Sequence, residues 1–331
     1  MNYQINDKFY TDSPDVEASR SGFGRGLKKA GELDERVVAM SADLAESTQA
    51  HLFAEEFPSR FVEIGIAEQN MACVAAGMAR AGKIPFATSF AAFNPGRNWE
   101  QIKTTACLND LPVKIVGSHS GLTDGPDGGT HQITEDIAIM RVLPHMVVIA
   151  PGDSIEAEKA TLAMAKDTRP NYLRLAREKT PTFSTAESPF EIGKAYVLAE
   201  GSDVTLIATG TMTHQCLTAA KLLSAKGISA EVVHVPTIKP LDTETILKSI
   251  KKTGRAVSVE EAQIMGGLGG AIAELLCEQM PAPLKRIGMD GVFGESGNYA
   301  ELLEHFGLDS KAIASKTTEL VKKVPQYKPG F

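Results

Sequence analysis

The chain has 331 residues, of which 43% are hydrophobic and 23% charged, and a formal net charge of −7. That length suffices for two domains of ordinary size, each burying its own core, and the composition excludes a low-complexity or disordered chain. The charge is modest and the acids are scattered, which argues against nucleic acid or an anionic membrane as a partner and for a small molecule or another protein.

The N-terminal stretch "MNYQINDKFYTDSPD" lacks a basic region followed by an apolar core, and no apolar run approaches about 18 residues, so neither export by that route nor a membrane span is expected. Cys73, Cys107, Cys216 and Cys277 lie far apart with no CxxC pair. Neither a zinc site nor a disulfide framework follows, and a reducing cytoplasm fits best.

From about Ser13 to Ala176 helical patterns alternate with short apolar runs. "RVVAMSAD", "KIPFATSF", "PVKIVGSH" and "HMVVIAPGD" predict buried strands. Between them "ASRSGFGRGLKKAGEL", "AEQNMACVAAGMARAG", "NWEQIKTTACL" and "SIEAEKATLAMAKD" carry helical spacing. Such alternation predicts a parallel sheet covered by helices. The pattern stops at "REKTPTFSTAESPFEIGKA", rich in Pro, Ser and Thr, where a linker is placed over 181–192. It resumes with "DVTLIATG", "SAEVVHVPT" and "RAVSVEE" as strands and "MTHQCLTAAKLLSAKG", "DTETILKSIKKTG" and "GGLGGAIAELLCEQ" as helices. The fold class expected is α/β: two consecutive domains with mainly parallel sheets, over 13–180 and 193–331.

Four features bear on chemistry. "GGLGGA" fails the GxGxxG dinucleotide spacing from Gly267, because Ile272 stands where the third glycine is needed, so close packing of a helix on a sheet is the better reading. The loop "GSHSGLTDGPDGGTHQ" places His119 and His131 twelve residues apart with Asp124 and Asp127 between them, directly after a strand. Ligands bind at the carboxyl ends of parallel strands, which favours a catalytic or substrate-binding loop over a zinc site with unusual spacing. Arg20, opening a helix, and Arg177, following a strand, present donor forks suited to phosphate, although each alone reads as a surface residue. Glu68, set among small and apolar residues in "FVEIGIAEQNMACVAAGMARAGKIPFATSFAAF", has three readings. It is a helix-start carboxylate, a buried ion-pair partner, or an acid kept protonated by Ile64, Ile66, Met71 and Cys73 so that it can share a proton with a bound heterocycle.

"MSADLAES", "GIAEQNM", "SFAAF" and "GSHSGLTDGPDGGTHQ", in that order and with matching gaps, resemble the C-terminal half of transketolase. The resemblance covers nearly the whole chain. It implies a pyrimidine-binding fold of thiamine diphosphate enzymes followed by a fold like the transketolase C-terminal domain. It further implies Glu68 as the catalytic acid on N1′ of the cofactor's aminopyrimidine, with Phe90, Phe93 and Asp43 also on the cofactor. His131 and Asp127 would handle sugar hydroxyls, His131 in a catalytic role, while His119, Arg177, Arg20 and Ser47 would grip the sugar phosphate. Pro126 and Gly129 depart from the family's GEDGPTHQ pattern, as do Ala67 and Gln69 beside Glu68, which leaves the sugar preference open.

The chain contains no GDG motif of the kind that holds the diphosphate and a divalent ion in this family. A split enzyme is therefore expected, with a separate N-terminal subunit holding Mg2+ or a similar ion, no metal held by this chain, and a heterotetramer as the assembly. Ala72, Ala75, Ala76 and Ala79 on the Glu68 helix would let helices pack closely across such an interface. The function expected is transfer of a two-carbon ketol unit from a ketose phosphate to an aldehyde, by default in pentose phosphate metabolism. The alternatives are a beta chain of a 2-oxoacid dehydrogenase or a non-catalytic assembly subunit.

Overall fold

The computed structural model describes residues 3–326. β1 (Val16–Ala18) leads into α1 (Ser19–Leu33), and β2 (Val37–Ser41) into the short α2 (Ala45–Thr48) and α3 (His51–Glu56). β3 (Phe61–Glu63) precedes α4 (Glu68–Arg80), and β4 (Ile84–Phe90) precedes α5 (Trp99–Gln101), which continues as a π-helical stretch over Ile102–Cys107. β5 (Lys114–Ser118) is followed by the histidine loop and α6 (Asp136–Arg141), β6 (Val147–Ile149) by α7 (Ser154–Lys166), and β7 (Asn171–Arg174) by β8 (Lys179–Pro181). The second half runs through β9 (Tyr196–Ala199), β10 (Val204–Ala208), α8 (Met212–Ser224), β11 (Ala230–His234) and β12 (Thr237–Lys239). It ends with α9 (Thr243–Thr253), β13 (Ala256–Gln263), α10 (Leu268–Gln279), β14 (Leu284–Met289), α11 (Tyr299–His305) and α12 (Ser310–Lys323).

The first large sheet has the order β12-β6-β7-β5-β4-β2-β3, parallel except for β12, and the second the order β14-β13-β10-β11-β9, parallel except for β9. β1 and β8 form a separate antiparallel pair. The central strands β2, β5, β7, β10 and β11 are buried at every position, as parallel strands covered on both faces must be. On one face Phe23 and Leu27 of α1 meet Phe86, Val116 and Ile149, each fully buried side chain contributing roughly 1.5–3 kcal/mol. On the other face Met71, Ala72 and Ala75 of α4 cover Met40, Ala87 and Ile115 in a cluster that continues to Ile207, Val233 and Ile272 of the second half.

Local chemistry sets the helix ends. Asp153, Asp242 and Asp309 cap α7, α9 and α12 by accepting backbone N–H bonds, and Gly254 ends α9 in the left-handed conformation. α1 lies unusually close to α7: a Cβ at Gly22 would stand 1.7 Å from the Ser154 carbonyl oxygen. Gly267 and Gly269 bring α10 onto Glu260 and Ser258 of β13, in keeping with the packing role expected of "GGLGGA".

β12 belongs in sequence to the second half, yet it pairs antiparallel with β6, Thr237 opposite Ile149. Ala150 N–H donates to the Pro236 carbonyl at 2.8 Å and Gly210 N–H to the Ala150 carbonyl at 3.1 Å, stitching the same seam. Register aligns the carboxyl ends of the first sheet, with Ser41 opposite Thr88, Phe90 opposite Ser118 and Gly117 opposite Arg174. Asp43, Phe90, His119 and Arg177 therefore leave the sheet at one edge.

Candidate active site

Most of the residues singled out in the sequence converge at this edge. His119 follows β5 in the left-handed region, φ 57°, and is 3% exposed. Its ring stacks on Phe90, centroids 3.8 Å apart, and Phe90 lies parallel to Phe93 at 6.2 Å. Phe93 in turn meets the edge of His131 at 5.4 Å. One face of Phe90 is thus covered by the imidazole of His119.

Arg20 donates from Nη1 to the Ser47 carbonyl at 2.8 Å and lies 3.3 Å from His119 Nε2. A guanidinium can only donate, so Nε2 is the unprotonated nitrogen and Nδ1–H faces Ser118 Oγ at 2.9 Å. Burial, with Arg20 and Arg177 adding to it, pushes the imidazole pKa down to about 3. His119 is therefore a neutral acceptor beside Arg20, with the charge of Arg177 also opposing its protonation. Arg177 donates to the Asp124 carbonyl at 2.6 Å and is partly exposed. Asp127 is exposed, and His131 is half-buried with Thr130 Oγ1 at 2.9 Å from Nδ1.

Glu68 is the first residue of α4 and is 1% exposed. Its Oε2 accepts from Arg97 Nη1 at 2.7 Å, and Asn98 donates to its carbonyl oxygen at 2.9 Å. Arg97 also lies over the Phe93 ring at 4.4 Å, which ties the acid to the aromatic row. Glu68 Oε1 accepts no hydrogen bond among the described residues. Both the helix-start and the ion-pair readings of Glu68 hold in this chain.

Three expectations need correction or a changed setting. The apolar shell around Glu68 is only half present, since Met71 is buried but Ile66 is 74% exposed and Cys73 is exposed. Ala72, Ala75, Ala76 and Ala79 face the chain's own core, so they do not line an interface, and the outward face of α4 carries Gln69, Asn70, Cys73 and Gly77. Asp43 is exposed at φ 60°, and its backbone N–H donates to Glu63 Oε1 at 2.8 Å.

Several supporting residues were not anticipated. Arg97 sits one helical turn beyond Phe93, a spacing that could have linked them. Glu261, at the end of β13, is 1% exposed and holds the histidine loop from beneath. It accepts from Thr123 N–H at 2.9 Å, Thr211 Oγ1 at 2.8 Å and Tyr299 OH at 2.7 Å. Arg174 donates to the Glu261 carbonyl at 2.7 Å and to Asp136 at 2.8 Å. The second domain thereby props the loop of the first. Among the described residues no three His, Cys, Asp or Glu side chains converge as metal ligands, and no helix is long and apolar enough to cross a membrane.

Comparison with known proteins matches this architecture. Residues 17–182 fit the transketolase pyrimidine-binding domain and residues 193–313 the transketolase C-terminal domain. A putative transketolase C-terminal section of Methanocaldococcus jannaschii is 46% identical over 92% of this chain and 96% of its own length. A 6-deoxy-6-sulfo-D-fructose transketolase subunit of a Clostridium species is 42% identical over 88% of this chain and 90% of its own. A solved split-gene transketolase, described as an inactive beta4 tetramer, superposes with a TM-score of 0.86 at 41% identity, covering 92% of this chain and 98% of that one. The two domains, the aromatic row beside a buried helix-start glutamate and these likenesses agree: the chain belongs to the transketolase family, of which it carries the pyrimidine-binding and C-terminal domains.

Proposed function

We propose that the chain is the C-terminal subunit of a thiamine diphosphate-dependent transketolase that moves a two-carbon ketol unit from an anionic ketose to an aldehyde acceptor. Residues 13–180 are the pyrimidine-binding unit, 181–192 the linker and 193–331 the C-terminal unit. The observation that carries this reading is the clustering of Arg20 and Arg177 about His119, joined through Phe90 and Phe93 to Glu68. A sugar carrying a phosphate or another anionic group at its far end suits two guanidiniums, while Asp127 and His131 at the rim suit its hydroxyls.

The chain's residues fit the pyrimidine end of the cofactor. Oε2 of Glu68 is engaged by Arg97, so Oε1 would be the atom to share a proton with the aminopyrimidine, and Phe90 and Phe93 would hold its ring. When bound, thiamine diphosphate supplies the carbon nucleophile that accepts the ketol unit. His131 exchanges a proton with a substrate hydroxyl near the reacting carbons, and Asp127 orients that hydroxyl. Ser47 lines the anion end through its carbonyl, and Asp43 marks the outer edge of the thiamine side. An N-terminal partner subunit supplies the diphosphate site and Mg2+ in a heterotetramer. The four thiols are unpaired, in keeping with a reducing cytoplasm.

The sulfosugar-handling relative supports an anionic ketose other than a pentose phosphate as donor, and pentose phosphates are the first to assay. Reconstitution with the partner subunit, thiamine diphosphate and Mg2+ should give ketol transfer from xylulose 5-phosphate or a sulfosugar, and no pyruvate-dependent dye reduction. Glu68→Gln should abolish transfer. Full activity of Glu68→Gln would refute the assignment, and pyruvate-dependent reduction would move the chain to the 2-oxoacid dehydrogenases.

A further inference from the structure

The histidine loop carries two acids, and Asp124 has no place in the chemistry above. It is 0% exposed, no N–H or O–H donor reaches either carboxylate oxygen among the described residues, and its nearest polar neighbour is the Asp127 carboxyl. An unpartnered carboxylate at this depth is costly, and packing gives no reason for it.

Charge surrounds it instead. Arg177 Nη1 lies 4.0 Å from Oδ1, and Arg20, 3.3 Å from His119 Nε2, is a second positive charge near it. His119 adds no charge, being neutral well below physiological pH. Asp127 on the same loop is the nearest acid, and Glu178 lies beyond Arg20. From the second domain, Glu261 is committed to Thr123, Thr211 and Tyr299, and the segment before α11 offers Gly125 only the backbone of Gly297.

We propose that Asp124 is a specificity-determining residue, an internal counter-ion to Arg20 and Arg177 that favours substrates whose anionic end carries one negative charge over those carrying two. The inference rests on the reading that these arginines hold the substrate's anionic end. An ionised Asp124, with Asp127 beside it, repels each negative charge that the ligand brings, so a dianion loses more than a monoanion unless Asp124 takes up a proton. Burial first, and Asp127 next, push the Asp124 pKa up to about 7, with Arg177 opposing, so that proton is available near neutrality. Raising the pH through 7 ionises Asp124 and weakens binding of a dianion, while a sulfonate, singly charged throughout, is affected far less.

The test titrates inorganic phosphate and methanesulfonate into the full-length chain at pH 6, 7 and 8, read by the ring resonances of His119. In the wild type, phosphate binding should weaken about tenfold between pH 6 and 8. In Asp124→Asn, of the same shape, it should instead tighten as phosphate gains its second charge, raising the preference for phosphate over methanesulfonate about tenfold at pH 8. Asp124→Ser should behave in the same way, which keeps the test open if the asparagine variant folds poorly. Like pH profiles and a preference within twofold in wild type and variants would overturn the proposal alone. Absence of any binding in all proteins would overturn it together with the assignment of the anion pocket.

Discussion

Replacing Glu261 by alanine tests whether the second domain holds the substrate loop in place. The carboxylate accepts three hydrogen bonds, from Thr123 N–H, Thr211 and Tyr299, and lies 1% exposed beneath the loop. Bonds to a charged acceptor contribute ~1.5–3 kcal/mol each, and burial of the charge offsets a large part of that. A net loss of about 3–5 kcal/mol remains, because the variant also orphans a buried N–H and leaves a cavity. At roughly 2–4 °C per kcal/mol, thermal unfolding followed by circular dichroism should fall by about 10 °C. Glu261→Gln keeps the shape and an acceptor for Thr123, so its midpoint should fall by only about a third as much. Burial holds the Glu261 carboxyl above the usual carboxylate range. Its contribution is therefore full below the unfolded-state pKa and declines as pH rises through the folded-state value, so the alanine loss should be larger at pH 5 than at pH 9. An alanine variant that unfolds at the wild-type temperature would refute the idea that this contact bears on the loop at all.

Gly22→Ala should destabilise the chain by at least ~1–3 kcal/mol, because its Cβ would fall inside the Ser154 carbonyl and force α1 away from α7. Arg20 lies on the same turn, so a chemical-denaturation midpoint shift should come with weaker anion binding, and a neutral result would mean that α1 can move freely. The ring protons of His119 should show no shift of the size that imidazole protonation gives between pH 8 and 5, since burial and the two arginines push the pKa down to about 3. A group with a lowered folded-state pKa binds its proton first in the unfolded chain, so this histidine reduces stability as pH falls below about 6.5. Protonation of the imidazole itself with a midpoint above pH 5 in a nuclear magnetic resonance titration, distinguished by its large shift from the smaller response to Asp124, would contradict that electrostatic picture.

The parallel cores were legible because strands buried on both faces read as short continuous apolar runs, as "RVVAMSAD" and "PVKIVGSH" do for β2 and β5. β1, β3, β8 and β12 were not, since three residues are too few to carry a pattern, and β9 and β14 were not read from the sequence either. The site residues were found through loop motifs, but their partners were set by tertiary contact. Nothing local in "FNPGRNWE" announces that Arg97 pairs with Glu68 twenty-nine residues earlier. The error over the α4 alanines was avoidable, because Met71, Ala72, Ala75, Ala76 and Ala79 form one stripe at helical spacing and so face the core. Asp124 was visible as a loop acid, whereas its depth and lack of partners depend on how α1, β7 and β13 close around the loop.

The position of β12 has a practical consequence for dissecting the molecule. A cut in the 181–192 segment, the natural place to separate the halves, would strip the first sheet of its outermost strand and bare the β6 edge. An open edge of apolar β-strand recruits other chains, so the amino-terminal fragment should aggregate unless the stretch around Thr237–Lys239 is supplied as a separate peptide. Two units that appear separable along the chain share one sheet, and neither can be expected to behave as an independent fragment.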